Sequence, residues 1–198
     1  MSTKTETKPA VDENLTGTYV LDPTHTRLGF VARHAMVTKV RGQFTDFSGT
    51  LNLDADDPSK SSAEVTIQVE SVNTGNPDRD NHLRNNDFFD VPTYPTWTFK
   101  STKAEQVDED TYRLTGDLTI KGVTKPITLD FEFTGAAKDP WGNTRLGFEG
   151  RTTINRKDWG VEWNVALEAG GVLVSEKITI EIDVAAVKAK EESATEAA

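Results

Sequence analysis

The chain has 198 residues, enough for one domain with tails. Its formal net charge of −10 and pI near 4.8 exclude the basic face that nucleic-acid binding requires, and disfavour standing attachment to an anionic membrane surface. With no cysteine there is no disulfide framework, thiol nucleophile or zinc-thiolate site.

Residues 1–14 are rich in Thr, Lys and Glu and lack the apolar run of a signal peptide, so a disordered tail and a cytoplasmic location are expected. No stretch reaches 18 uninterrupted apolar residues, so no membrane span is expected. From there on the hydrophobic period is two. In RLGFVARH, Leu28, Phe30, Ala32 and His34 share one face, and in AEVTIQV the aligned set is Ala63, Val65, Ile67 and Val69. YRLTGDLTI aligns Tyr112, Leu114, Gly116, Leu118 and Ile120, ITLDFEF aligns Ile127 through Phe133, and ITIEIDV aligns Ile178 through Val184. Alternation of this kind marks strands with one buried and one wet face. DADDPSK, KGVTKP and KDPWGN supply turns between them. Roughly eight antiparallel strands joined by short turns predict an all-β domain over 15–188, either a sandwich or a closed up-and-down barrel. Residues 189–198 form a second polar tail.

One stretch breaks the β rhythm: NPDRDNHLRNNDFFDV, residues 76–91. Asn76 and Pro77 read as an N-cap and first helical position, with Asp78 and Asp80 in the first turn. The spacing predicts a short helix over about 77–85, packed through Leu83, Phe88 and Phe89, with Asp80 paired to Arg84 four residues on.

Acids, arginines and His82 crowd together here, so catalysis and metal binding need weighing. His25 and His34 stand about 30 Å apart if extended, and no HxH, HExxH or CxxC spacing occurs, so no metal site is expected. No GxSxG or other nucleophile motif is present, and carboxylates at a helix start follow from its dipole, so no catalytic residues are assigned. The aromatic residues in or beside strands either fill an ordinary core or line a lumen, and composition does not choose between the two. His34, on the apolar face with Phe30, needs a hydrogen-bond partner from a side chain or from a ligand.

The blocks DPTHTRLGFVARH, RGQFTDFSGTL, NTGNPDRDNHLRNNDFFDVPTYPTWTF, GDLTIKGVTKPITL and INRKDWGV, in this order, closely resemble the YceI-like family of polyisoprenoid-binding proteins. The match runs from about Gly17 to Val187, and RDxHLRxxDFFD is its most specific element. The resemblance implies a lipocalin-like antiparallel up-and-down β-barrel with a short helix near one mouth and a long apolar lumen. It implies non-catalytic binding, transport or sequestration of a long-chain isoprenoid lipid, either a polyprenyl phosphate or pyrophosphate or an isoprenoid quinone, with no cofactor beyond that lipid. It also links the family to stress response, which leaves an interaction protein with an inert barrel as the alternative, and it allows a homodimer, since relatives often pair. On this reading Phe30, His34, Phe44, Trp97, Phe99, Leu118, Phe131 and Phe133 contact the lipid from the wall. Arg79 and His82, with Arg84, stand at the mouth helix where a head group approaches.

Overall fold

The computed structural model describes residues 14–168 and 171–190. The tails expected at either end therefore fall almost wholly outside the described residues. Strands are β1 (Gly17–Leu21), β2 (Arg27–His34), β3 (Thr38–Phe44), β4 (Phe47–Leu53), β5 (Ser62–Gln68) and β6 (Val72–Asn73). After helix α1 (Pro77–Arg84) come β7 (Thr96–Gln106), β8 (Thr111–Ile120), β9 (Val123–Lys138), β10 (Thr144–Asn155) and β11 (Lys177–Lys188). Three 3-10 turns, at Pro58–Lys60, Val69–Ser71 and Arg156–Trp159, join them.

All pairings are antiparallel, in the order β1-β4-β5-β7-β8-β9-β10-β11, and β1 also pairs with β11 to close a ring of eight. The structure is thus a barrel, not a sandwich, and closure leaves these strands without free edges. β11 is long enough to serve two neighbours. Its C-terminal part pairs with β1 (Leu21↔Ala186), and its N-terminal part pairs with β2 (Thr179↔Val31 to Asp183↔Arg27). The chain crosses between these neighbours at Asp22–Thr26, stitched to β11 by Asp22 N–H to the Ala185 carbonyl (2.8 Å) and by the Thr26 hydroxyl to the same oxygen (2.9 Å). β3 and the two-residue β6 extend the wall beyond β2.

The helix forms where the sequence places it and for the expected reason: the Asn76 Oδ1 accepts the backbone N–H groups of Asp78 (3.0 Å) and Arg79 (3.1 Å). The expected Asp80–Arg84 pair does not form. Asp80 is buried and accepts from the backbone and hydroxyl of Thr74, whereas Arg84 donates to the carbonyls of Glu70 (2.9 Å) and Val72 (3.1 Å). Tertiary acceptors outcompete a surface i,i+4 pair that contributes only a few tenths of a kcal/mol. Both side chains thereby tie α1 to the segments preceding it.

Candidate functional site: an apolar lumen

The inward-facing sets surround one continuous cavity of about 380 Å³. It reaches Leu83, Phe88, Val161 and Val174 at the α1 end, and Leu15, Leu53, Ala55 and Pro58 at the other. The period-two alternation positions its walls: Ile127, Leu129, Phe131 and Phe133 on β9 face it, as do Ile178, Ile180, Ile182 and Val184 on β11. Many of these side chains, Phe131 and Ile180 among them, remain half-buried although the wall encloses them. A close-packed core would bury them fully. They face space.

Each end of the lumen has its own packed cluster. At the α1 end Phe44, Val69, Val72, Phe88, Phe89, Trp159 and Val161 pack together. Trp97 stands edge-on to Phe44 (4.9 Å between ring centroids) and to Phe89 (4.8 Å). At the other end Tyr19, Leu146 and Ala186 are buried against Leu51, Phe133 and Phe148.

Three lumen phenylalanines lie over glycines of the neighbouring strand. A Cβ on Gly42 would sit 2.3 Å from the Phe30 ring, one on Gly116 would sit 2.4 Å from Phe99, and one on Gly150 would sit 2.5 Å from Phe131. Because glycine leaves that space vacant, each ring lies back against the wall.

Of the residues expected at the site, Phe30, Phe44, Trp97, Phe99, Leu118, Phe131 and Phe133 line the cavity. His34 does not. It keeps the register of Leu28, Phe30 and Ala32, but β2 runs past the end of the lumen, and His34 is exposed there, bridging Val174 through the backbone. Arg79 and His82 also stay outside the cavity lining. Arg79 folds back onto Thr74, through its Oγ1 (2.7 Å) and its carbonyl (2.8 Å). The His82 ring lies edge-on between Phe88 (4.9 Å) and Trp163 (4.7 Å), with Nε2 2.9 Å from Asp87. The mouth helix is thus held by its polar groups and presents apolar ones inward. Nor do the three imidazoles meet: His25 contacts Asp22 and Thr24, and no group of three potential ligands converges among the described residues.

Period-two reading overlooks the buried charged residue of the lining, Arg156. Its Nε donates to Ser175 O (2.8 Å), Nη1 to Val161 O (2.7 Å) and Nη2 to Val174 O (3.2 Å). It is 6% exposed and makes no salt bridge among the described residues. Burial pushes its guanidinium below the ordinary value, partly offset by the charge of Glu176. The signal available in sequence was the turn around it, with Asn155 capping Lys157 N–H and Gly160 at φ 76° ending it. A second overlooked feature is the indole N–H of Trp97, which is buried with no hydrogen-bond partner among the described residues. By contrast the Trp159 indole donates to Leu118 O at 2.9 Å.

Away from the α1 end, Arg145 bridges Asp22 (2.8 Å) and Asp139 (2.9 Å). Burial alone would raise the Asp22 carboxyl, but hydrogen bonds from Thr24, His25 and Arg145 outweigh it and hold the group far below the usual range. Asp139 is likewise raised by burial and brought down to about 2 by Asn143, Arg145 and the Trp141 N–H. This network fixes the β1–β2 crossing and the β9–β10 turn, and takes no part in lining the lumen.

The model of the YceI-like domain matches residues 19–186. A UPF0312 protein of Azotobacter vinelandii is 39% identical over 146 residues, which is 73% of this chain and 76% of the relative. One from Ectopseudomonas mendocina is 42% identical over 137 residues, 69% and 72% of the two chains. The crystal structure of the Campylobacter jejuni YCEI protein superposes with a TM-score of 0.69 at 35% identity, covering 80% of this chain and 90% of that one. A polyisoprenoid binding domain from Saccharophagus degradans shares the fold at TM-score 0.66 and 19% identity, over 86% and 98% of the chains. Among the described residues no helix is long and apolar enough to cross a membrane.

Proposed function

The chain belongs to the YceI-like domain family, and on that premise we propose that it binds one long isoprenoid lipid in its lumen and carries or sequesters it without chemical change. The observation that carries this reading is the continuous cavity of about 380 Å³, walled by Phe, Leu, Ile and Val side chains from one end of the barrel to the other. Such a wall offers an unbranched or methyl-branched chain about 0.8 kcal/mol per buried CH₂, and needs no directional contact to do so. Phe30, Phe44, Trp97, Phe99, Leu118, Phe131 and Phe133 are the contacts proposed for the tail. A phosphate or quinone head has little to meet along the tunnel, so it belongs at an end. At the α1 end Arg156 brings a buried cation whose hydrogen bonds go to carbonyls, with the charge of Glu176 acting on it from nearby.

Nothing in this arrangement requires a reacting group: the polar side chains near the mouths are engaged in holding loops and helix. Organic-solvent extraction of the purified protein followed by mass spectrometry is expected to yield an isoprenoid at close to one equivalent per chain. An extract without prenyl species, together with failure to take up added polyprenyl phosphate or isoprenoid quinone, refutes the proposal.

A further inference from the structure

The turn between β2 and β3 is built against local preference. Ala35 and Met36 both adopt left-handed backbone, at φ 50° and 63°, where glycine or asparagine is the ordinary choice. Both are apolar. Met36 is 62% exposed and the next residue, Val37, 75%. Backbone strain and exposed apolar surface thus coincide at one tip.

The tip does not stand alone. Ala35 N–H donates to Leu173 O (2.7 Å), and Leu173 N–H donates to Val165 O (2.9 Å), so Leu173 and Val165 lie alongside it. The Met36 sulfur sits over Gly171, leaving no room for a side chain there. Val165, 45% exposed, extends the apolar surface. Val174, one residue beyond Leu173, lines the lumen. The exposed surface is therefore continuous with the α1 mouth.

Charge singles out the same hairpin. Residues 27–44, RLGFVARHAMVTKVRGQF, carry Arg27, Arg33, Lys39 and Arg41 and not one Asp or Glu, in a chain of net charge −10. Arg27 and Arg41 face Glu181. Arg33 and Lys39, which flank the tip, are exposed and make no salt bridge among the described residues. Glu162 and Glu168 on the adjoining segment are exposed acids, which limits the electrostatic share and leaves the apolar tip as the main contact.

We propose that the Met36–Val37 tip, with Val165 beside it and Arg33 and Lys39 around it, inserts into the surface of a bilayer containing anionic lipid and so sets the α1 mouth against the membrane. Apolar side chains enter the acyl boundary while the flanking cations meet phosphate heads, the usual division of labour at an interface. This deepens the lumen reading and rests on it: a ligand with almost no aqueous solubility exchanges where the mouth touches its reservoir.

The test is flotation of the full-length protein with phosphatidylcholine vesicles, with and without phosphatidylglycerol, beside Met36→Asp/Val37→Asp and Arg33→Glu/Lys39→Glu variants. Aspartate tolerates left-handed backbone, so the first variant keeps its turn. Wild type is expected to float with the phosphatidylglycerol vesicles. The aspartate variant should lose about tenfold or more of that partition, and the charge variant should lose it in proportion to the phosphatidylglycerol content. Solvent-extracted lipid is measured in parallel as the separate readout of the lumen. Wild type staying soluble with both vesicle types, or the aspartate variant floating as well as wild type, overturns the proposal. So does a dimer in light scattering that the aspartate variant dissolves, which assigns the tip to a second copy of the chain. An empty extract from every variant counts against the lumen reading alone, since flotation does not depend on lumen contents.

Discussion

Replacing Gly150 by alanine is the sharpest probe of whether the barrel interior is hollow. The new Cβ would lie 2.5 and 2.6 Å from two carbons of the Phe131 ring and 3.1 Å from the Asp130 carbonyl. Ordinary carbon contacts are about 3.5–4.0 Å, so the ring must retreat by roughly 1 Å. In a close-packed core that displacement has nowhere to go, and overpacking costs about 1–3 kcal/mol. Here the ring borders the cavity and swings into it. The alanine also removes backbone freedom from the unfolded chain, worth about 0.4–1 kcal/mol in the opposite direction. The net expected change is within about 1 kcal/mol, a Tm shift of no more than about 2–4 °C for a domain of this size. Lipid content should respond where stability does not. Extracted lipid per chain should fall in Gly150→Ala, fall further with Gly42→Ala added, and recover when Phe131→Leu gives the space back. Urea unfolding and quantitative mass spectrometry on the four proteins decide the matter. A loss of 3 kcal/mol or so with unchanged lipid content would refute the reasoning, because it would mean the ring has no void to enter.

Two tryptophans at the α1 end should respond differently to loss of the indole nitrogen. Trp97→Phe removes a buried donor that has no acceptor and should leave stability within about 1 kcal/mol, whereas Trp159→Phe strands the Leu118 carbonyl and should cost about 1–3 kcal/mol in chemical denaturation. Arg156→Met should destabilise by about 2–4 kcal/mol, because the carbonyls of Val161 and Ser175 lose their donor inside the structure, while that of Val174 keeps only Asn164. A variant as stable as wild type would show that water reaches them. Asp22 and Asp139 have folded pKa values below their unfolded ones, so their contribution is complete above the ordinary carboxylate pKa of about 3.9 and is lost as pH falls through the folded values. Tm measured from about pH 5 to pH 2 should therefore drop more steeply for wild type than for Asp22→Asn/Asp139→Asn, and equal slopes would remove these two groups from the account.

Much of the barrel was legible because a closed wall imposes one rule on every strand. The alternations of β8, β9 and β11 assign their inward faces correctly, since each inward position meets the same apolar interior. The same rule misled at His34, because period two tells which face a residue takes and not where along the strand the interior ends. Asn76 and Pro77 announce α1 through local chemistry alone, whereas the partners of Asp80 and Arg84 come from Thr74, Glu70 and Val72, which local spacing does not bring into view. Arg156 escaped notice because it lies in a 3-10 turn outside any alternating run, and its burial depends on three carbonyls from segments up to 19 residues away. Hollow and solid barrels share one hydrophobic pattern. What separates them is pairing across strands, such as Phe131 over Gly150, and composition within a strand does not encode it.

The division of β11 between two neighbours has a consequence for whatever the barrel holds. Near Leu15 and Leu53 the ring closes through β1, whereas beyond the Asp22–Thr26 crossing β11 hands over to β2, and β3 and β6 join the circumference. The two ends of the bore are therefore walled by different strands, β1 at one and β2 with β3 at the other. On the proposed reading, a passenger with unlike ends meets unlike surroundings at its two termini, so the two ways of lying inside are not equivalent.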